Sequence, residues 1–200
     1  MSARALPPSL TDEEYFDLEN AAEERHELYD GHMYAMAGTS RSHRLIIVNL
    51  AGEFRNAFKN RSCEVSASDA RVRVSMSGTY FYPDVVVVCG EPKLLGDATD
   101  TLLNPILIVE VLSPSTEAYD RGLKFARYRK LESLQEYVLA AQDRPSVEIY
   151  RRQPSGEWLL SEVSGLDGTC HFNSVDCSIP MAEIYGKVTF TEPEIPPVTS

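Results

Sequence analysis

The sequence predicts a single domain of the α/β or α+β class, with helices packed against a mixed β-sheet. Its 200 residues favour one domain, and 43% hydrophobic and 24% charged residues are an ordinary globular composition. Helical and strand patterns alternate along the chain, as in helices layered on a sheet. Residues 85–88 and 106–112 are apolar without alternation, apart from one glutamate, and so predict central strands. The domain is expected over residues 10–190, between a flexible arm at residues 1–9 and a proline-rich tail at residues 191–200.

The first forty residues predict a helix and a hairpin. Thr11 and Glu14 have the spacing of a capping box, so a short helix is predicted over residues 11–20. Strands are predicted at residues 26–29 and 33–37, because the Asp-Gly pair between them suits a turn with positive φ.

Two further helices and a series of strands follow. Ser40 is predicted to begin a helix that runs to about Lys59, because apolar residues recur there at helical spacing. His43 lies at the edge of the inner face of this helix. Another helix is predicted from Thr116 to Leu131. The remaining strands are predicted at residues 63–66, 71–74, 80–89, 106–112, 136–141, 147–151 and 158–163.

The net negative charge argues against non-specific binding of nucleic acid over the protein surface. Lysine and arginine number 19 against 30 aspartates and glutamates, which gives a net charge of −11. A body of this charge repels polyanions at long range. Nucleic acid would therefore bind only at a local basic strip or at a metal cleft, where a bound cation reverses the local field.

The cysteines and the hydropathy favour a cytoplasmic location. Cys63, Cys89, Cys170 and Cys177 lack zinc-finger spacing, and free buried thiols are expected, as in a reducing cytosol. No apolar stretch approaches the roughly 20 residues that span a bilayer. Residues 1–8 lack the basic and apolar regions of a signal peptide. We therefore expect no membrane segment.

Two carboxylates interrupt strands that are otherwise apolar. Asp84 stands before the valine run, and Glu110 lies inside the second central strand. Burial of either group without a partner is costly, so both are either held in structural salt bridges or brought together at neighbouring strand ends. In the second case their oxygens suit Mg²⁺ or Mn²⁺.

Lys124 is the candidate for activating water beside these carboxylates. It lies in the helix that is predicted to pack back on the sheet after Glu110. The alternative is a solvated charge, because the same helix carries four other basic residues: Arg121, Arg127, Arg129 and Lys130. Tyr128 lies one turn beyond Lys124 and is expected to line the same cleft.

These residues lie in motifs that resemble one protein family. The motifs are Pro83-Asp84, the segment Ile108 to Thr116 around Glu110, the segment Asp120 to Lys124 with Tyr128, and upstream Arg25 to Gly31 with His43. They resemble the Uma-type family of restriction-endonuclease-like proteins. The match covers about Leu10 to Arg152, and its Glu-Val-Leu-Ser-Pro-Ser-Thr block is specific.

The resemblance implies a fold and an active site. That family is similar to the PD-(D/E)xK nuclease superfamily, which has a mixed β-sheet flanked by helices and an active site at splayed strand ends. It implies that Asp84 and Glu110 are metal ligands, with the Val111 carbonyl as a third. Glu27 matches an acidic residue that the first core element often supplies.

The sequence departs from the superfamily pattern at the lysine. The superfamily lysine stands two residues after the glutamate, where this chain has Leu112. Lys124 fits a pattern in which the lysine has moved to the next helix.

Three functions are compatible with these residues. The first is a Mg²⁺-dependent endonuclease that cuts nucleic acid, DNA in particular, with metal-activated water. Its catalytic residues would be Asp84, Glu110, Lys124 and Glu27. The second is a catalytically silent, dimeric binding or regulatory module of the same fold. The third is a two-carboxylate glycoside hydrolase, which burial of both carboxylates in one strand-end cluster would exclude.

The remaining residues have supporting roles in this interpretation. His43 is either a phosphate contact or proton shuttle, or a structural histidine, and Tyr128 is a substrate-binding residue. Ser113 and Ser115 are expected to cap the following helix rather than act as nucleophiles. The resemblance also implies a homodimer, for which Trp158, Leu160 and Tyr185 would offer apolar surface.

Overall fold

The computed structural model describes residues 9–36, 38–75, 78–96 and 100–190. The predicted arm, apart from Ser9, and the predicted tail lie outside these ranges, as does Ala37 at the expected end of the hairpin. The elements are α1 (Asp12–Ala21), β1 (His26–Tyr29), β2 (His32–Ala35), α2 (Arg41–Ala57), β3 (Cys63–Ala67), β4 (Val72–Ser75), β5 (Thr79–Phe81), β6 (Val85–Cys89), β7 (Leu107–Leu112), α3 (Glu117–Tyr119), a π-helical segment (Asp120–Lys124), α4 (Phe125–Tyr128), β8 (Glu136–Ala141), β9 (Ser146–Arg152), β10 (Trp158–Ser164), β11 (Thr169–Phe172), a 3₁₀ turn (Asn173–Val175), β12 (Cys177–Pro180) and α5 (Met181–Ile184).

The strands form a mixed six-stranded sheet and a smaller antiparallel sheet beside it. The large sheet has the order β10-β9-β8-β7-β6-β3, and its β7 and β8 are parallel while the other neighbours are antiparallel. The small sheet has the order β2-β1-β5-β4, and β11 pairs with β12 separately. This mixed sheet with helices on it confirms the predicted fold class.

The two faces of the large sheet carry separate cores. Val85 and Val87 of β6 pack with the apolar face of α2 and with the β11 to α5 region. Val86 and Val88 pack on the other face, where Tyr128 of α4 covers the sheet. The valine run is apolar without alternation because both of its faces are buried.

The predicted strand 80–89 is two strands that belong to different sheets. β5 joins the small sheet and β6 the large one. Between them lies Pro83, which has no N–H for a strand ladder. The chain therefore changes sheets at this point, and Asp84 lies at the fork where the two sheets diverge.

The predicted helix 116–131 is shorter than expected and contains a π-helical segment. The helical region ends at Tyr128, and within it the N–H of Phe125 donates to the carbonyl of Asp120, five residues back. The prediction that Ser113 and Ser115 cap this helix with their hydroxyls is also wrong. The hydroxyl of Ser113 contacts the hydroxyls of Ser115 and Thr116, and the N–H groups of Thr116 and Glu117 donate to the carbonyl of Ser113.

The prediction of free thiols is wrong for two of the cysteines. Cys63 and Cys89 lie directly opposite each other on β3 and β6 and form a disulfide. Strand pairing brought them together, which their spacing of 26 residues in the sequence did not reveal. Cys170 and Cys177 are free and buried, as predicted.

The surface expected for a homodimer is only partly exposed. Leu160 of β10 is exposed, whereas Tyr185 is buried, so Tyr185 offers no surface to a partner. Trp158 is half-buried against Phe125. The homodimer stays a prediction. None of the helices in the described ranges is long and apolar enough to cross a membrane.

Candidate active site

A cavity of about 510 Å³ opens at the fork between the two sheets. Its lining contains the acidic side chains Glu27, Asp84, Glu110 and Asp120, together with His43 and Lys124. All six of these residues are at most 9% exposed. The structure thus brings together Glu27, His43, Asp84, Glu110, Val111 and Lys124 from the sequence-predicted site.

Asp84 is fixed at the fork by two contacts. Its Oδ2 accepts a hydrogen bond from the N–H of Val111 at 2.6 Å. Val85, the first residue of β6, pairs with Val109 of β7, so the carboxylate of Asp84 extends this ladder by one hydrogen bond before β6 begins. The other oxygen, Oδ1, lies 3.1 Å from Nε2 of His43, which α2 supplies. Asp84 therefore has a defined orientation at the cavity wall.

Glu110 faces the helical layer from the middle of β7. Its Oε1 accepts from Nζ of Lys124 at 3.1 Å and from the hydroxyl of Tyr128 at 3.1 Å. Burial raises the pKa of Glu110 well above its usual value, and the charge of Lys124 opposes this shift. Glu110 is thus a carboxyl group that holds a proton more readily than an exposed glutamate.

Lys124 is the central cation of the cluster. Its Nζ lies 2.9 Å from Oε1 of Glu27, 3.1 Å from Oε1 of Glu110 and 3.6 Å from Oδ1 of Asp120. Burial opposes the charged form, but the three carboxylates outweigh it and raise the pKa of Lys124 well above its usual value. The ammonium is therefore charged, and it partly neutralises the acidic floor of the cavity.

Glu27 joins the site from the small sheet. Its Oε1 accepts from the N–H of Tyr82 at 3.4 Å, and its Oε2 accepts from the hydroxyl of Tyr119 at 3.3 Å. These contacts orient the carboxylate of Glu27 toward Lys124. The ammonium of Lys124, from the helical region, is therefore bound by a side chain of the first hairpin.

Tyr128 and His43 hold the site's carboxylates. Tyr128 is fully buried and lies behind Glu110, outside the residues that line the cavity, so it does not line the cleft as predicted. His43 does line the cavity, and its ring contacts Asp84. Asp84 and Glu110 are both buried in the wall of one cavity, which counts against the two-carboxylate glycoside hydrolase.

Asp120 and Tyr119 belong to the site but were missed in the sequence. Burial raises the pKa of Asp120, and Lys124 opposes this shift. Asp120 lies four residues before Lys124, on a helix rich in charges that resembled a solvated face. The i,i+4 spacing to Lys124 was the signal that could have identified it.

The donor atoms at the cavity floor are of the type that Mg²⁺ and Mn²⁺ prefer. They are carboxylate oxygens, and the metal usually takes one or two carboxylates and keeps several waters. Within the described ranges, however, no group of three or more histidine, cysteine, aspartate or glutamate side chains is arranged to hold a metal ion. An ion bound at this floor would therefore depend on one or two of these carboxylates and on waters for its remaining ligands.

Comparisons with known proteins agree with this architecture. A family model described as "Uma2: Putative restriction endonuclease" matches residues 12–176. Two uncharacterised proteins of Synechocystis sp. (strain ATCC 27184 / PCC 6803 / Kazusa), slr1290 and sll1609, are each 37% identical to the chain. The first match covers 92% of this chain and 95% of the relative, and the second covers 86% and 98%.

A solved structure has the same fold. The crystal structure of a "putative nuclease belonging to DUF820" from Anabaena variabilis ATCC 29413 superposes with a TM-score of 0.71 at 17% sequence identity. The superposition covers 88% of this chain and 97% of the other. At this identity, the similarity establishes the shared fold.

Proposed function

The chain belongs to the Uma2 family, described as putative restriction endonucleases, and from that premise we propose that it is a divalent-metal-dependent endonuclease. It would hydrolyse phosphodiester bonds of nucleic acid, with DNA as the expected substrate. Membership of this family supports a nuclease-like function. The observation that carries the proposal is the buried cluster of Glu27, Glu110, Asp120 and Lys124 at the cavity floor, beside Asp84. Buried charges with shifted pKa values in a cleft are typical of catalytic sites.

Asp84 and Glu110 would hold Mg²⁺ or Mn²⁺, with the backbone carbonyl of Val111 as a third protein oxygen. When bound, such an ion polarises a phosphate oxygen and lowers the pKa of a water. Tyr128 and His43 position the two carboxylates through the contacts described above.

Lys124 would stabilise the negative charge that develops on the phosphate during hydrolysis. Preorganised cations in a buried site do this more strongly than cations in water, because little reorganisation is needed. Glu27 and Asp120 hold the ammonium in place. Glu27 would also serve as a further oxygen ligand if a second cation binds.

The proposal is tested by titrating the protein with Mn²⁺ in a calorimeter. We expect saturable binding to the wild type and its loss in the Asp84→Ala/Glu110→Ala double variant, because both ligands are removed. The titration requires no assumption about the substrate. Lack of binding to the wild type would instead favour the catalytically silent module of the same fold.

Mn²⁺ affinity should depend on pH through Glu110. The metal binds the carboxylate, whereas burial raises the pKa of Glu110 and so favours its protonated form. Protons therefore compete with the metal below that pKa, and affinity should rise with pH by up to about tenfold per unit while Glu110 titrates. Calorimetry from mildly acidic to mildly basic pH measures this, and the slope should be smaller in Glu110→Gln. An equal slope in both proteins would contradict the assignment of Glu110.

A further inference from the structure

We propose that the substrate is an unpaired nucleotide, in a single strand or at a frayed end, whose base stacks on Tyr34. This inference rests on the proposed nuclease function and specifies its substrate class. It follows from the depth of the cavity, the position of Tyr34 and the scarcity of basic side chains around the site.

The reactive groups are buried at the floor of the cavity and do not lie on the protein surface. Glu110 is 3% exposed and Lys124 is 6% exposed, and both are reached through the cavity. A volume of about 510 Å³ is that of a pocket for a small molecule. In a duplex each phosphate is held at the surface of a stiff helix, whereas an unpaired nucleotide is free to turn its phosphate and its base into a pocket. An unpaired nucleotide can enter where a double helix cannot.

Tyr34 is placed to receive the base of such a nucleotide. It lies opposite Glu27 in the first hairpin, so the two side chains lie on the same face of the small sheet. Glu27 reaches the cavity floor, while Tyr34 lines the cavity and is 50% exposed. The other tyrosines contact a ring or a cation, whereas no such contact within the described ranges involves Tyr34. Its ring is therefore open to stacking at the cavity edge.

The charges around the cavity also disfavour a duplex. Apart from His43, Lys124 is the one basic side chain among the described residues of the lining, and carboxylates already surround it. Proteins that track a duplex use many lysines and arginines on its phosphates. Stacking of a base on an aromatic ring contributes about 1–3 kcal/mol per base by alanine substitution, and this contribution comes from the ring and not from basic side chains. The site is thus better suited to one stacked nucleotide than to a charged double helix.

The inference is tested by fluorescence anisotropy with a labelled oligothymidylate of about twelve nucleotides, the length of site that single-strand binders cover. The competing probe is a blunt duplex of the same length, and both are measured with Ca²⁺ present. We expect the wild type to prefer the single strand. Tyr34→Ala should weaken single-strand binding at least about fivefold, the equivalent of the lower stacking value, whereas Tyr34→Phe should retain it because the ring remains.

Leu159→Ala is the matched control, since Leu159 is an exposed apolar residue on β10 outside the cavity lining. Its affinity should equal that of the wild type. Equal or tighter binding of the duplex, unchanged binding by Tyr34→Ala, or no binding by the wild type would each overturn the inference. Binding is measured separately from cleavage. If the protein binds single strands through Tyr34 but cleaves no nucleic acid, the proposed nuclease function is rejected and the stacking role of Tyr34 is retained.

Discussion

Replacing Glu110 by glutamine is expected to reduce Mn²⁺-dependent cleavage of nucleic acid by at least about 10³-fold, or about 4 kcal/mol of transition-state stabilisation. The amide keeps the shape of the side chain but removes the charge that would hold the cation. Asp84→Asn should have an effect of similar size, because Asp84 supplies the other carboxylate at the fork. Initial rates on single-stranded and duplex substrates at saturating Mn²⁺ measure both effects.

Glu64→Gln provides the matched control for these variants. It makes the same chemical change at an exposed position of β3, so its activity should remain that of the wild type. Circular dichroism should show that all three variants are folded. Full activity in either Glu110→Gln or Asp84→Asn would reject the proposed metal ligands.

Lys124→Met is expected to destabilise the metal-free protein by about 3 kcal/mol. The substitution leaves Glu27, Glu110 and Asp120 buried without the ammonium that lies among them. For a domain of this size, that loss lowers Tm by about 6–12 °C. Mn²⁺ should raise the Tm of the variant more than that of the wild type, because a divalent cation then neutralises the carboxylates. Cleavage should nevertheless be lost.

Thermal unfolding in EDTA measures the destabilisation of the metal-free variant, and unfolding in Mn²⁺ measures its stabilisation by the cation. Lys130→Met is the control, since Lys130 is an exposed lysine shortly after the same helical region, and its Tm should change little in either buffer. If Lys124→Met is as stable as the wild type in EDTA, the ammonium does not balance the buried carboxylates.

Local sequence signals predicted most of the elements but not how the sheets divide. The capping box of α1 and the helical spacing of α2 are short-range patterns, and both elements occur as predicted. The small sheet joins β1 to β5 through the pair Leu28 and Tyr80, more than fifty residues apart. Nothing local to either strand encodes that pairing. The same limit explains why the disulfide between Cys63 and Cys89 was not predicted.

The site residues that could be predicted were those whose polarity differs from that of their neighbours in the sequence. Asp84 and Glu110 stood out because carboxylates are costly in apolar strands, and the structure buries both. Lys124 was ambiguous among neighbouring charges until the resemblance identified it. Asp120 did not stand out in this way, because an acidic residue is common in a helix that carries many charges. Tyr34 was equally ordinary as a strand residue, and only its position opposite Glu27 gives it a role.

The position of Lys124 in the cavity depends on the number of residues in the π-helical segment Asp120–Lys124. A π-turn accommodates one residue more than the α-helical hydrogen bonds allow, and such turns are frequent at functional sites. Each residue of an α-helix advances the side chains by about 100°, so deleting one residue here would swing Lys124 away from Glu27 and Glu110. An in-frame deletion of the codon for Gly122 or Leu123 would thus separate the ammonium from these carboxylates while every charged residue of the chain is kept. The spacing of this segment, and not the identity of its residues alone, is therefore part of what the site requires.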